Sequence, residues 1–419
     1  MCMAESAIIA RVLASVLEVD AAAWNTLLAR QSHPTPFMRH EYLAALETSG
    51  SATPRTGWAA RFLTLWDSNT LIAACPLYLK NHSYGEYVFD WAWASAYEQH
   101  GVPYYPKAVI AVPFTPVPGT RLMARDDAAR ALLVQAVCQW CEDENVSSVH
   151  ILFASDDDVL TSAQQDLMLR HTVQFHWKNV APTLPAARGS LPPEGSPPVD
   201  GGNQPFTDFD HFLASLAQDK RKKIRQERRR VAEAGVTFRW SRGADISAAD
   251  WDFFYRCYER TYLEHGNPPY LTRDFFARMA AHMPEAWLLF VAERDGLPIA
   301  SSLIAISALP SSASSQKDQR LVAYGRYWGA LERVDCLHFE ACYYQPLQWC
   351  IDHGVQRFEG GAQGEHKMAR ALLPVQATSA HWLAHPAFAE AVERFLARES
   401  EGVGHYLSEL QERSPFKTG

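Results

Sequence analysis

CQWCEDENVSSVHILF, residues 138–153, and LQWCIDHGVQRFEGGA, residues 347–362, share Gln-Trp-Cys, then an Asp, a Val and a run that reads as a strand. The likeness extends upstream. WAARFLTLWDSNTLIAACPLYL (Trp58 to Leu79) and WLLFVAERDGLPIASSLIAI (Trp287 to Ile306) are each a strand, a polar turn and a second strand, which is the hairpin signature. In both halves helices come first, and a strand, a helix and a strand follow the hairpin. A chain that repeats one order of elements is constrained to fold as two copies of one unit. Its 419 residues exceed the ~100–200 of a single domain and suffice for two.

Strands interleaved with helices around such hairpins give an α/β (α+β) mixture, a mixed and mostly antiparallel sheet flanked by helices, not an alternating parallel sheet. This order of elements resembles the GNAT acyltransferase fold, so tandem GNAT-like domains are expected. PTLPAARGSLPPEGSPPVDGGNQPF (Pro182 to Phe206) holds seven prolines without apolar periodicity and reads as a linker or long loop. The expected units are therefore residues 1–181 and 207–419. SSASSQKDQ (Ser311 to Gln319) reads as a hairpin loop.

A net charge of −8 argues against coating nucleic acid or an anionic membrane with the whole surface, so any such partner is held locally. No run approaches the ~18 apolar residues of a membrane span, and Glu5 and Arg11 interrupt the early apolar stretch, unlike a signal peptide. Eight cysteines are dispersed without framework spacing, which points to a reduced, cytoplasmic location. Cys138 and Cys141 form one C-x-x-C inside an expected helix, Ala128 to Glu142, with no second pair. His381 and His385 have no acid at motif spacing, so no metal is assigned.

TDFDHFLASLAQDKRKKIRQERRRVAEAG is expected to be one helix, opening on a capping-box pattern at Thr207 to Asp210 and stopping at Gly235. Phe212, Leu216, Ile224 and Val231 form its apolar line. From Lys220 to Arg230 eight of eleven residues are Lys or Arg. Like charges at helical spacing repel, so the run needs something anionic: acids of the same chain, or ligand phosphates.

RFEGGAQGEHKMAR (Arg357 to Arg370) reads as a strand running into a glycine-rich bend. It fails the G-x-x-x-x-G-K-[ST] template and, with Gly360 and Gly361 adjacent, the G-x-G-x-x-G template. Glu359, Glu365 and His366 are candidate proton acceptors, and Lys367 and Arg370 could hold a carboxylate or phosphate. Acyl transfer to an amine needs such a set: a base for the ammonium proton and donors for the oxyanion, here backbone N–H groups of Gly360 to Gly364. Two aromatic stretches accompany it. YGEYVFDWAWASAYEQHGVPYYP offers Glu86, Asp90, Tyr104 and Tyr105, and HFEACYYQPLQWC places Glu340 and Tyr344 one helical turn apart.

YGEYVFDWAWASAYEQHGVPYYPK, VPFTPVPGTRL, FHWKN at Phe175 to Asn179, KRKKIRQERRRV and FEGGAQGEHKMAR together resemble the FemAB-like proteins of the GNAT superfamily, the bacterial peptidoglycan biosynthesis or recognition group. The resemblance implies an acyltransferase or aminoacyltransferase acting on an amine of a peptide-like or peptidoglycan-precursor acceptor. No tightly bound cofactor is implied; acyl-CoA or aminoacyl-tRNA is the co-substrate. Gly360, Gly361, Gln363, Gly364, Lys367, Arg370, Glu340, Tyr344, Glu86, Asp90, Tyr104 and Tyr105 then bind the acceptor, with Glu365, His366 or Glu359 as base. Lys220, Lys222, Lys223, Arg225 and Arg228 meet donor phosphates, including those of a tRNA. The acetyl-CoA pattern [QR]-x-x-G-x-[GA] has only a partial echo from Arg326 through Gly329 to Leu331. A non-catalytic protein that binds peptides or cell-wall precursors in the same cleft is the alternative.

Overall fold

The computed structural model describes residues 7–181, 204–308, 320–362 and 364–417. Most of the Pro182 to Phe206 stretch, the Ser311 to Gln319 loop and Gln363 therefore lie outside the described residues. Both expected hairpins form: Phe62–Asp67 pairs with Thr70–Cys75, and Trp287–Arg294 with Leu297–Ala308.

One eleven-stranded sheet runs through both halves. From the second half come Val236–Arg242, Trp287–Arg294, Leu297–Ala308, Leu321–Ala330 and Arg357–Ala362 in order; then Met168–Lys178 and Leu373–Leu383; then Ser148–Ala154, Lys107–Ile110, Leu77–Lys80 and Ala59–Ala60 from the first. The last strand of each half has crossed over. Met168–Lys178 lies against Arg357–Ala362, and Leu373–Leu383 lies against Ser148–Ala154. The crossing puts titratable pairs at corresponding places, Glu359 opposite His176 and His150 opposite His381. The halves also share one apolar core, in which Phe37, Tyr42 and Trp58 join Trp251, Phe254 and Phe276.

The basic stretch departs from the expectation. It is two helices, Phe209–Ser215 and Gln218–Glu233, and the first is capped by Asp208, whose side chain accepts from His211 N, not by Thr207. The break at Leu216 and Ala217 has a cause: Leu216 is extended and bridges to Phe416, and Ala217 N donates to the Pro415 carbonyl. Phe206, Phe212 and Leu216 are all buried, so the end of the proline-rich stretch packs into the second half.

Gly329 shows how tightly helix and sheet meet. A Cβ there would stand 1.9 Å from the Cys257 carbonyl oxygen of the helix Ala248–Glu264. Gly329→Ala is expected to cost at least about 1–3 kcal/mol, read as a lowered melting temperature.

Candidate active site

The parallel strands Leu321–Ala330 and Arg357–Ala362 pair at only three positions: Val322 with Arg357, Ala323 with Phe358 and Tyr324 with Glu359. Beyond these they part. The first strand carries a β-bulge, since Ile304 faces Gly325 and Leu303 faces Tyr327, leaving Arg326 as the extra residue. A bulge bends its strand and interrupts pairing, which is how such features open sites at sheet interiors.

The wedge holds a cavity of about 150 Å³ lined by Ser302, Gly325, Tyr327, His338, Cys342, Tyr343, Phe358 and Gly360. A second cavity of about 360 Å³ shares Arg326, Tyr327 and Trp328 with it and is walled by Tyr258, Tyr262 and Tyr270. A third, about 380 Å³, shares Trp328 and His338 and is bordered by Arg260, Glu332 and Arg333.

The glycine-rich bend forms one edge of the wedge, and its glycines answer to different demands. Gly360 lies where a Cβ would meet Leu372 Cδ2 at 2.3 Å and the Phe175 carbonyl at 2.8 Å, so the crossed-over strand dictates it. Gly364, with φ of +94°, leaves room for the His366 ring, whose Cε1 would be 2.4 Å from an added Cβ. The bend thus seats a histidine. His366 Nε2 is 3.4 Å from the Tyr343 hydroxyl, and Tyr343 lines the wedge. Partial burial, with Arg370, Lys367 and Lys223 nearby, lowers the His366 pKa and favours the neutral ring. His338, inside the wedge, is pushed by burial down to about 4.

The other two base candidates point elsewhere. Glu365 is exposed and accepts from Tyr406 Oη at 2.9 Å and Arg413 Nη1 at 3.2 Å, on the side of the helix Pro386–Glu412. Glu359 alternates with Phe358 and Gly360 and so faces the opposite side of the strand, 2.8 Å from Arg357. Burial pushes its carboxyl up to about 7, and its Oε2 has no hydrogen-bond partner.

Several residues expected to bind substrate are engaged with the protein itself. Lys367 Nζ donates to the Gly360 carbonyl at 2.7 Å, bracing the bend, and burial lowers its pKa to about 8. Arg370 is buried, donating to Glu227 at 2.7 Å and to the His366 carbonyl at 2.7 Å. Glu227 also accepts from Tyr344, and Glu340 accepts from Arg228 at 3.1 Å. Arg370, Tyr344 and Glu340 therefore dock the basic helix. That helix buries Ile224, Glu227 and Val231, so two of the three non-basic residues of the run, Ile224 and Glu227, are among its inward residues. Lys220 pairs with Asp219, Arg225 with Asp210 and Arg229 with Glu233. Among the described residues Arg221, Lys222, Lys223 and Arg230 enter no ion pair, and of these Lys223 is near His366.

Glu86, Asp90 and Tyr104 are buried in the first half and do not line the wedge. Lys107 Nζ donates to Glu86 at 2.8 Å, to Ser83 at 2.7 Å and to Asp90, which also accepts from Tyr104 at 2.6 Å. Tyr105 reaches Ser83 at 2.9 Å. Desolvation pushes Glu86 up to about 7 and Lys80 down to about 7. These acids face inward from the loop before the helix Trp91–Gln99, leaving Tyr84, Phe89 and Trp91 exposed.

Arg326, Tyr327, Trp328, His338, Cys342, Tyr262 and Tyr270 were not among the residues expected from the sequence. The available signal was Gly325, since a lone glycine inside a strand pattern marks a bulge. The Arg326 to Leu331 echo does not make a phosphate loop. Gly329 pairs with Ser301 within the sheet, and residues 331–335 hold Glu332, Arg333 and Asp335 but no glycine to form a loop of free N–H groups. These residues do not fit the pyrophosphate of acyl-CoA.

The sequence matches the FemAB-like family model, described as peptidoglycan biosynthesis/recognition, over residues 15–183 and 201–418. The chain belongs to the FemAB-like family. No curated protein matches it closely enough to count as a relative. The solved structure of FemX aligns with 90% of this FemAB-like chain and 98% of its own at 10% identity, with a TM-score of 0.50. L-PGS from Bacillus licheniformis covers 90% and 97% at 11% identity (TM-score 0.48), and a tandem GNAT protein from the clavulanic acid biosynthesis pathway covers 91% and 99% at 10% (TM-score 0.42). The fold is the mixed α/β, tandem GNAT-like arrangement implied by the internal repeat. Among the described residues no helix is long and apolar enough to cross a membrane.

Proposed function

We propose that this FemAB-like protein transfers an acyl or aminoacyl group to an amine of a peptidoglycan-related or peptide-like acceptor, in the cytoplasm. One observation carries the reading: parallel strands that part beyond Tyr324 and Glu359 leave a cavity between their unpaired edges, with His366 3.4 Å from its lining residue Tyr343. The family description and the fold shared with FemX support the substrate class. Residues 1–181 and 207–419 are the two units, and the second supplies the reacting wedge.

The acceptor amine attacks the acyl carbonyl in the wedge, and His366 takes the proton that the amine loses; the ester bond from that carbonyl to the donor then breaks, and the departing donor oxygen receives the proton back from His366. Backbone N–H groups on the parted strand edges and the glycine bend face the developing oxyanion. A base must be unprotonated to work, and His366 is held below its ordinary 6.5. The ratio of wild-type to His366→Ala kcat/KM, in which ionisation of the acceptor amine cancels, is therefore expected to stay level through neutral pH and to fall only below about pH 6.5. A ratio that already falls at or above pH 7.5 would count against His366.

Aminoacyl-tRNA fits the donor role better than acyl-CoA, because the phosphate pattern is a packed strand while four cations of the basic helix carry no ion pair among the described residues. Arg221, Lys222, Lys223 and Arg230 changed together to Ala should weaken tRNA binding and flatten its salt dependence by about 0.7–0.9 in log–log slope per lost contact. Filter binding across a salt series reads this; an unchanged slope would remove the tRNA assignment. The transfer reading itself is tested by incubating the protein with charged tRNA and an amine-bearing precursor and looking for the modified amine by mass spectrometry. Binding of the precursor without turnover would favour recognition alone.

A further inference from the structure

Arg326 stands in the wall common to the wedge and the tyrosine-lined cavity. Its guanidinium lies over the rings of Phe37 at 5.1 Å and Tyr327 at 5.0 Å. A guanidinium has five N–H donors, and here one nitrogen makes every bond: Nη2 donates to the Phe114 carbonyl at 3.1 Å, to Thr115 Oγ1 at 3.4 Å and to the Tyr327 hydroxyl at 3.4 Å. Nε is buried without a partner. The groups acting on its charge are Tyr42, Tyr87 and Tyr327, and among the described residues no carboxylate forms an ion pair with it.

The fully buried arginines are better provided for, although Arg370 also leaves its Nε unpaired. Arg121 donates to the carbonyls of Leu152, Gly119, Thr120 and Val117, and Arg370 is paired with Glu227. Arg326 is half-buried at the cavity walls, and a cation partly withdrawn from water with neither anion nor a full set of acceptors is where a ligand can supply the anion. Among the described residues Arg326 is also the only Lys or Arg lining either cavity. One positive charge matches a carboxylate, whereas a phosphomonoester near −2 would call for a second cation.

We propose that Arg326 binds a carboxylate of the acceptor, which makes the acceptor an amino acid or peptide carrying a carboxylate. The carboxylate and its neighbouring side chain occupy the cavity walled by Tyr258, Tyr262 and Tyr270, and the amine reaches the wedge at Gly360. This assignment rests on the transfer reading for the role of the amine, while the carboxylate contact stands on Arg326 and its surroundings.

The test is calorimetric binding of three probes sharing one ring: benzoate, benzamide and phenyl phosphate. The full-length wild-type protein is expected to bind benzoate, with benzamide at least about 10-fold weaker, and Arg326→Gln to lose about 10- to 100-fold of the benzoate affinity. If Arg326→Gln does not fold, Arg326→Lys, which keeps the charge but not the two-pronged contact, is expected to lose about 10-fold. Absence of benzoate binding to the wild type, unchanged affinity in the variant, or equal binding of benzamide would overturn the proposal. Phenyl phosphate binding tighter than benzoate would overturn it in favour of a phosphate site. No donor or turnover is involved, so the two readings fail separately. Benzoate held at Arg326 by a protein that transfers nothing would sink the transfer reading alone, and transfer with Arg326-independent binding would sink this one alone.

Discussion

His366→Ala is expected to slow acyl transfer by about 10²–10⁴-fold, the contribution of one general base, whereas Glu365→Ala should leave the rate near that of the wild type. The two residues are neighbours in sequence but face different surroundings. His366 folds over Gly364 and meets Tyr343 at the wedge, while Glu365 is spent on Tyr406 and Arg413 at the surface. Single-turnover rates of the two variants, compared with their melting temperatures, separate lost chemistry from lost fold. Equal rates for both would mean that neither is the base. A slow Glu365→Ala beside a normal His366→Ala would reverse the assignment and require the bend to rearrange when substrate binds.

The second large effect is on stability. Arg370→Ala is expected to cost about 3–5 kcal/mol, because it leaves Glu227 as a buried charge with its cation gone. Arg370 and Glu227 are both buried, and the same carboxylate accepts from Tyr344. Replacing Arg370 by Met and Glu227 by Leu together removes both charges and should recover much of that loss. A double variant no more stable than Arg370→Ala would show that the contacts, not the unpaired charge, dominate. Because these groups dock the basic helix, the single variant should also loosen it. Protease cleavage between Lys220 and Arg230 reads that loosening, and an uncut helix would contradict it.

These residues show why the fold was more legible than the site. The hairpins, the internal repeat and the second-half strand at Phe358 follow from alternation and turn chemistry, which act locally. The crossing of Met168–Lys178 and Leu373–Leu383 between halves leaves no local trace, since a strand reads the same whichever neighbours it pairs with. The basic run was visible as a surface helix, yet its break at Leu216 comes from a distant C-terminal segment. Side-chain chemistry misled for the same reason. Glu340, Tyr344, Lys367, Arg370, Glu86 and Asp90 have the residue types of a binding site, and three-dimensional packing turns each onto a partner in the protein. Arg326 had the reverse fate. In the sequence it was the first residue of a failed phosphate pattern, and only the bulge at Gly325 and Tyr327 aims it into a cavity.

In the proposed reaction the wedge between Leu321–Ala330 and Arg357–Ala362 transfers an acyl group with His366 as base. The most direct measurement follows label from a radiolabelled aminoacyl-tRNA onto a peptidoglycan-precursor amine in a single turnover, for the wild type and for His366→Ala. Label is expected on the amine with the wild type, at a rate about 10²–10⁴-fold lower with the variant. Label transferred equally by both proteins, or bound precursor never labelled by either, would contradict it.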